Sequence, residues 1–152
     1  MDIVSKEVRS RMMANIRGSN TNPEMKVRKI LHRHGFRYRL HQRTLPGRPD
    51  VVLPRYRLCI FIHGCFWHRH PGCRYATTPS SREEFWRSKF EQNMKRDNKN
   101  RNELLQLGWR VFEIWECGTR KPEAEMNWLL EAVPDFNQHY ISWPTLSAAL
   151  SI

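Results

Sequence analysis

The chain has 152 residues, which suits one domain with a single hydrophobic core, and no apolar run approaches the roughly 18 residues of a membrane span. Lysine and arginine number 26 against 15 aspartates and glutamates, a formal net charge of +11. This composition argues against a membrane protein and against a secreted, disulfide-rich one. Basic residues are spread from Lys6 to Lys121, which favours a folded face for nucleic acid phosphates over a disordered arm. A basic soluble protein without such a partner is the plainer alternative.

The N-terminal part of the chain predicts two helices. Residues 5–16 carry apolar side chains near one helical stripe. In the second helix, Thr21 and Glu24 form a predicted capping box, and Pro23 fits the first turn. This helix is expected to end at Gly35.

The middle of the chain predicts strands. Residues 36–40 alternate as a strand does, and the apolar runs 51–53 and 57–62 flank a short turn, which predicts a hairpin. Residues 63–80 are rich in Gly, Pro, His and Cys and are expected to be irregular.

The last part predicts a long helix over about 82–107, opened by a capping box of Ser81 and Glu84. A strand at 109–115 and a helix at 119–133 follow, and the tail 134–152 carries signals too weak to assign. The predicted order, ααβββαβα, indicates a layered α/β domain.

Cysteine and histidine spacing predicts a metal site. Cys65, His70 and Cys73 offer three ligands within nine residues, and Cys117 just after the last strand can supply a fourth. Three thiolates and one imidazole form a closed, structural type of zinc site. The alternative is a set of unpaired thiols beside a surface histidine. Cys59, inside an apolar run, is expected to pack in the core.

A second group of polar residues is predicted at one end of the hairpin. Asp50 precedes the first hairpin strand and His63 leaves the second, so both should lie at the same sheet end. One carboxylate and a nearby main-chain carbonyl suit Mg²⁺, and a neutral imidazole such as His63 or His68 could act as a general base. Taken singly, Asp50 could be a turn cap and His63 a satisfied polar group.

Four motifs carry a resemblance to a known family: LPGRPD, IFIHGCFWHRH, EFW and LGWRVFEIWEC. Between about residues 6 and 118 the chain resembles the very short patch repair (Vsr) family of DNA mismatch endonucleases. The resemblance implies a restriction-endonuclease-like core, with a mixed central sheet flanked by helices and the structural zinc site. It also implies one endonuclease domain over 1–152, in which an N-terminal helix within 1–20 contacts DNA.

The resemblance implies roles for individual residues. Asp50, His63 and His68 match catalytic positions, with Glu24 in support. Asp50 and the main-chain carbonyl of Ile62 match ligands of a catalytic magnesium; a threonine is familiar at the latter position. In this reading His68 activates water and His63 contacts the phosphate.

The resemblance also implies a DNA-contacting set of side chains. Phe66, Trp67 and Trp86 would act as wedges beside a mismatch, for which large rings on a metal-anchored loop are suited. The remaining members of the set are Met13, Lys89 and Asn93. Helical spacing places Trp86, Lys89, Asn93 and Arg96 on one face, although a solvated face is the commoner explanation for such a pattern. Phe66 and Trp67 could equally be local core.

The implied function is strand-specific nicking 5′ of the T in T:G mismatches that arise by deamination of 5-methylcytosine. The expected partners are mismatched double-stranded DNA and, functionally, a cytosine-5 DNA methyltransferase. A monomer in the bacterial cytosol is expected, with no membrane partner. Two alternatives are a zinc-stabilised DNA-binding module without catalysis and a restriction endonuclease on matched DNA.

Overall fold

The computed structural model describes residues 20–146, which form a five-stranded mixed sheet with helices on both faces. The strands lie across the sheet in chain order: β1 (Arg39–Leu40), β2 (Val51–Leu53), β3 (Leu58–His63), β4 (Arg110–Trp115) and β5 (Tyr140–Trp143). The helices are α1 (Asn22–Arg33), α2 (Cys65–His68), α3 (Glu83–Gln106), α4 (Glu116–Thr119) and α5 (Trp128–Ala132), with 3₁₀ turns at Pro54–Tyr56 and Glu123–Met126.

The sheet combines an antiparallel half and a parallel half. β1 pairs antiparallel with β2, and β2 with β3, whereas β3–β4 and β4–β5 are parallel. The predicted hairpin is therefore confirmed, with Val51 opposite Ile60 and Leu53 opposite Leu58. The expected α/β class is confirmed as well.

Alternation along the strands divides the core into two layers, because successive side chains point to opposite faces. On one face, Ile60, Phe112 and Ile114 pack with Val27 and Leu31 of α1. Residues of the last helical region, Leu129 and Val133, complete that layer. On the other face, Cys59 and Val111 pack against Leu104 of α3. Cys59 is fully buried there, which confirms its predicted core role.

Helix α1 begins as the sequence predicts. Thr21 is the N-cap, and its Oγ1 accepts a hydrogen bond from the Glu24 N–H at 3.4 Å. The return bond of the predicted capping box is different, because the Glu24 carboxylate accepts from the N–H of Asn20 at 3.2 Å. The first turn is thereby tied to the residue before the cap.

The second predicted capping box is wrong. Helix α3 is capped by Arg82 in the left-handed region (φ 56°), and the Arg82 side chain makes no capping hydrogen bond. Ser81 lies one residue too early for this start, so only the acidic residues Glu83 and Glu84 in the first turn favour the helix N-terminus.

The predicted helix over 119–133 is also wrong in extent. Pro122 has an extended ψ of 142°, which breaks the segment into the 3₁₀ turn and the short α5. The unassigned tail contains a fifth strand, β5, which pairs with β4 through Val111 and Tyr140. The strand predicted at 36–40 is reduced to Arg39–Leu40, which pairs with β2.

Residues 1–19 lie outside the described part, and so do the predicted N-terminal helix and Met13. Within residues 20–146, no helix is both long enough and apolar enough to cross a bilayer.

Candidate active site and metal cluster

An open cavity of about 1140 Å³ lies between α1, the end of β3, α2 and α3. All of the described residues predicted for the catalytic and magnesium sites line it: Glu24, Asp50, Ile62, His63 and His68. The chain brings them together from three directions. The hairpin presents Asp50 and His63, α1 presents Glu24, and α2 presents His68.

The Asp50 carboxylate is held by the backbone of the neighbouring strand. Its Oδ2 accepts a hydrogen bond from the N–H of Ile62 at 2.8 Å. The pKa of Asp50 is raised to about 6, chiefly by burial; the nearby Glu24 also raises it, whereas the Ile62 hydrogen bond and the imidazoles of His63 and His41 lower it. Burial makes the ionised carboxylate unfavourable, and a bound cation would offset its negative charge. The site is therefore well suited to a metal ion.

Asp50 belongs to a three-residue cluster that the sequence did not predict in full. Ligand atoms of Glu24, His41 and Asp50 lie within 4.8 Å of one another, so the cluster could hold a metal ion. His41 Nε2 is 3.1 Å from Glu24 Oε2. Only the pairing of β1 with β2 carries His41 here, as its N–H donates to the carbonyl of Asp50. No local motif indicates it.

His68 forms a close pair with a carboxylate from α3. Its Nδ1 lies 2.6 Å from Oδ2 of Asp97. Burial lowers the pKa of His68, although the bond to Asp97 opposes this effect. Asp97 was not predicted. Its spacing of four residues from Asn93, on the helix face that lines the cavity, is the signal that could have found it.

His63 is paired in the same way with a carboxylate from β4. Its Nε2 lies 2.8 Å from Oε2 of Glu113, and both side chains are buried. Burial acts to raise the pKa of Glu113, but hydrogen bonds from His63, Tyr140 and Arg101 outweigh it and lower the pKa to about 2. Glu113 was also missed, although a lone carboxylate within the apolar strand 109–115 was a visible signal.

The predicted zinc ligands converge. Ligand atoms of Cys65, His70, Cys73 and Cys117 lie within 4.8 Å of one another, and the cluster could hold a metal ion. His70 Nδ1 is 3.7 Å from Sγ of Cys65 and 3.4 Å from Sγ of Cys117. The other ring nitrogen, Nε2, lies 2.7 Å from the carbonyl oxygen of Pro144. This bond would orient the imidazole and leave Nδ1 as the ligand atom.

The predicted wedge residues form an aromatic cluster rather than isolated rings in water. Phe66 and Trp67, on α2, contact each other at a centroid distance of 5.1 Å. Trp86 of α3 lies 5.7 Å from Phe66 and 5.8 Å from Trp67. All three are half-buried, and Phe66 and Trp67 line the cavity. The cluster therefore agrees in part with the alternative prediction, in which Phe66 and Trp67 pack as a local core.

Basic and amide side chains of α3 also line the cavity. Lys89 and Asn93, for which DNA contacts are predicted, line the cavity, and so do Arg96 and Arg101. The side-chain amide of Asn93 also donates to the carbonyl of Trp67 at 3.1 Å. The cavity thus presents cations to an anionic ligand close to the imidazoles.

Comparison with known proteins assigns the chain to a family. Residues 1–74 match the family model described as DNA mismatch endonuclease Vsr. The type II nicking enzyme V.XorIIP of Xanthomonas oryzae is 47% identical over 116 residues, or 76% of this chain and 85% of the relative. The type II nicking enzyme V.NmeAIP of Neisseria meningitidis is 43% identical, over 76% of this chain and 82% of the relative. The DNA mismatch endonuclease Vsr of Escherichia coli is 41% identical over 122 residues, or 80% of this chain and 78% of that protein. The chain therefore belongs to the Vsr family of DNA mismatch endonucleases.

Proposed function

We propose that this protein is a strand-specific DNA endonuclease that nicks 5′ of the T in T:G mismatches produced by deamination of 5-methylcytosine. The observation that carries the proposal is the convergence of Asp50, His63 and His68 on one cavity with a cationic wall. The names of the relatives, which are mismatch endonucleases and nicking enzymes, support the same reaction class. We also propose that the five-stranded mixed sheet is a restriction-endonuclease-like core.

The donor sets fit two different metals. The three thiols and one imidazole of Cys65, His70, Cys73 and Cys117 match a closed structural zinc site. Asp50 and the carbonyl of Ile62 would hold the catalytic magnesium, with Glu24 in support. Carboxylate and carbonyl oxygens are the ligands that magnesium prefers. When bound there, magnesium would supply polarisation of the phosphate and stabilisation of the leaving oxygen.

His68 is the proposed general base. An ionised carboxylate can only accept hydrogen bonds, so Asp97 holds the proton of the neutral ring on Nδ1 and leaves Nε2 to accept a proton from water. Burial lowers the pKa of His68, which keeps the ring neutral near pH 7. Asp97 thus fixes both the orientation and the tautomer of the base.

His63 and the cations of α3 are proposed to bind the scissile phosphate. His63 stacks on His68 with a centroid distance of 4.2 Å, so the two rings reach the same part of the cavity. Lys89 and Arg96 bring positive charge to that wall, and phosphate neutralisation of this kind dominates the affinity of proteins for DNA.

The aromatic cluster is proposed to select the mismatch. Phe66 and Trp67 are anchored by Cys65 and His70, while Trp86 supports them from α3. Insertion of a ring between base pairs costs a few kcal/mol of unstacking, and a mismatched step opens at lower cost. Met13 is proposed to add a contact from the N-terminal segment.

The physiological setting follows from the substrate. T:G pairs of this origin arise where a cytosine-5 DNA methyltransferase acts, so we propose a functional link to such an enzyme, with its recognition site as the sequence context. We further propose that the protein acts as a monomer in the bacterial cytosol, because a single mismatch does not require a two-fold enzyme.

The test is a nicking assay with magnesium on duplexes that carry T:G or T:A in one sequence context, repeated over a panel of flanking sequences. The wild type should cut T:G duplexes, and Asp50→Asn should bind but not cut. Asp135→Asn, an aspartate outside the cavity, is the matched control and should cut normally. Binding without cutting in every context would favour a DNA-binding module, and equal cutting of T:A would favour a restriction endonuclease.

A further inference from the structure

Glu113 is a buried carboxylate at the junction of three structural elements. It lies in the middle of β4, where its Cα is level with Phe61 of β3 and Ser142 of β5. Alternation along the strands directs its side chain to the sheet face covered by α3. On that face it lies diagonally between His63, at the end of β3, and Tyr140, at the start of β5.

Three side chains donate hydrogen bonds to this one carboxylate. His63 Nε2 is 2.8 Å from Oε2, and Arg101 Nη1 is 2.9 Å from Oε1, to which the Tyr140 hydroxyl also donates. Arg101 in turn lies over the Tyr140 ring, at 5.1 Å from its centroid. A carboxylate with this many donors is both ionised and fixed in orientation.

An ionised carboxylate has no proton to give, so the shared hydrogen must belong to the imidazole. In neutral His63 the proton is then on Nε2, and Nδ1 carries the lone pair. His68 has the opposite arrangement, since Asp97 holds its Nδ1. The lone pair is therefore on Nδ1 in neutral His63 and on Nε2 in neutral His68.

We propose that Glu113 is a positioning residue that fixes His63 as the Nε2-protonated tautomer, and that Arg101 and Tyr140 hold Glu113 for this task. The inference rests on the proposed role of His63 at the phosphate. It gives β5, the strand hidden in the unassigned tail, a part in the active site through Tyr140. It also explains why a carboxylate lies in the middle of this buried strand.

The direct test is the tautomer of His63, measured by ¹⁵N NMR on the full chain as purified, at a pH at which the ring is neutral. The wild type should show a protonated Nε2 and an unprotonated Nδ1, which the two ring nitrogen shifts distinguish. A protonated Nδ1 with an unprotonated Nε2 in the wild type would overturn the inference without any variant. This measurement does not depend on nicking, so it separates the inference from the proposed function.

The variant Glu113→Gln keeps the shape of the side chain but can donate as well as accept. It should mix the two His63 tautomers and lower the single-turnover nicking rate by about 10- to 100-fold, the range typical of residues that orient a functional histidine. Affinity for T:G duplex should stay within about twofold. Glu103→Gln, an exposed change on α3 at the Lys99 ion pair, is the matched control and should change neither quantity.

A variant Glu113→Gln with a wild-type His63 tautomer would overturn the inference, whatever its nicking rate. Tyr140→Phe removes one donor without touching the imidazole, and it should give a smaller loss of rate with the tautomer retained. Equal losses in the Tyr140 and Glu113 variants, with the tautomer unchanged in both, would show that the cluster only supports β5. If the wild type shows the expected tautomer but cuts no T:G duplex, the proposed function fails and the positioning of His63 stands.

Discussion

His63 and His68 stack at a centroid distance of 4.2 Å, yet different ring nitrogens of the two are held by carboxylates. Glu113 holds Nε2 of His63, and Asp97 holds Nδ1 of His68. Each carboxylate leaves the other ring nitrogen of its partner available, which suits the distinct tasks that we propose for the two rings. The site thus consists of two carboxylate–imidazole pairs beside the Asp50 carboxylate.

The first prediction concerns Asp97. Asp97→Asn keeps the size of the side chain but no longer requires the proton of His68 to be on Nδ1. We expect the nicking rate to fall by about 10²- to 10⁴-fold, the range for loss of an oriented general base. Single-turnover kinetics would measure the loss. Affinity for T:G duplex should be retained, and a variant that cuts at the wild-type rate would contradict the proposed orientation of His68 by Asp97.

The second prediction concerns pH. The base must be neutral, and burial lowers the pKa of His68 below its usual value of about 6.5, so acid should reduce the nicking rate only below that pH. Saturating magnesium would keep Asp50 ionised over this range. Because the Asp97 bond raises the pKa of His68, the acid limb of Asp97→Asn should move to still lower pH. A limb that moves to higher pH would contradict the assignment.

The third prediction is that Asp50→Asn stabilises the protein when divalent cations that bind at Asp50 are absent. The folded-state pKa of Asp50 is raised to about 6, above the unfolded value of about 3.9. Ionisation therefore costs folding free energy at pH 7.5, and this cost disappears below the unfolded pKa. The variant should gain about 1 to 3 kcal/mol at pH 7.5 and lose its nicking activity.

Urea unfolding at two pH values would measure this effect. The gain should vanish as the pH falls below the unfolded pKa of about 3.9, because Asp50 of the wild type is then neutral in both the folded and the unfolded chain. The comparison of the two proteins at low pH therefore serves as the control for the comparison at pH 7.5. Equal destabilisation of the variant at both pH values would mean that Asp50 is an ordinary structural carboxylate.

The fourth prediction concerns the Cys/His cluster. Cys73→Ser or Cys117→Ser should lose one equivalent of zinc and several kcal/mol of folding free energy, a fall in Tm of about 10 °C or more. Cys59→Ala is the matched control, because Cys59 packs in the core and should leave zinc content unchanged. Metal analysis and thermal unfolding measure both quantities. Unchanged stability in a zinc-free preparation would contradict a structural metal.

The fifth prediction concerns the aromatic cluster. Trp67→Ala should weaken binding to T:G duplex by about 10- to 100-fold, the range for loss of a ring stacked on a base, and weaken binding to matched duplex much less. Phe136→Ala, at an exposed ring outside the cavity, is the control. Equal losses on the two duplexes would mean that Trp67 only packs the domain, as its contact with Trp86 also permits.

Much of the fold was predictable because its signals are local. The hairpin, α1 with its Thr21 cap and the long α3 all follow from periodicity and turn residues. The four-ligand cluster was predictable because cysteines and a histidine at this spacing are typical of a structural metal site. The fifth strand was not predictable from local signals. Tyr140–Trp143 lies at the sheet edge, and its strand conformation depends on pairing with β4, which is distant in the sequence.

The supporting carboxylates were missed for a different reason. Asp97 and Glu113 lie 29 and 50 residues from the histidines they hold, so no motif links the partners. Only the packing of α3 and β4 around His63 brings them together. Glu113 was nevertheless visible as the one carboxylate in a strand of mainly apolar residues, and such residues merit a functional hypothesis before a structure is known.

The central claim is best tested by mapping the cut on a T:G duplex in which each strand carries a label at its end, with magnesium present. The account predicts a single nick, in the strand that contains the T and on its 5′ side, with the G strand intact. Cuts in both strands, or a nick placed without regard to the mismatch, would contradict it.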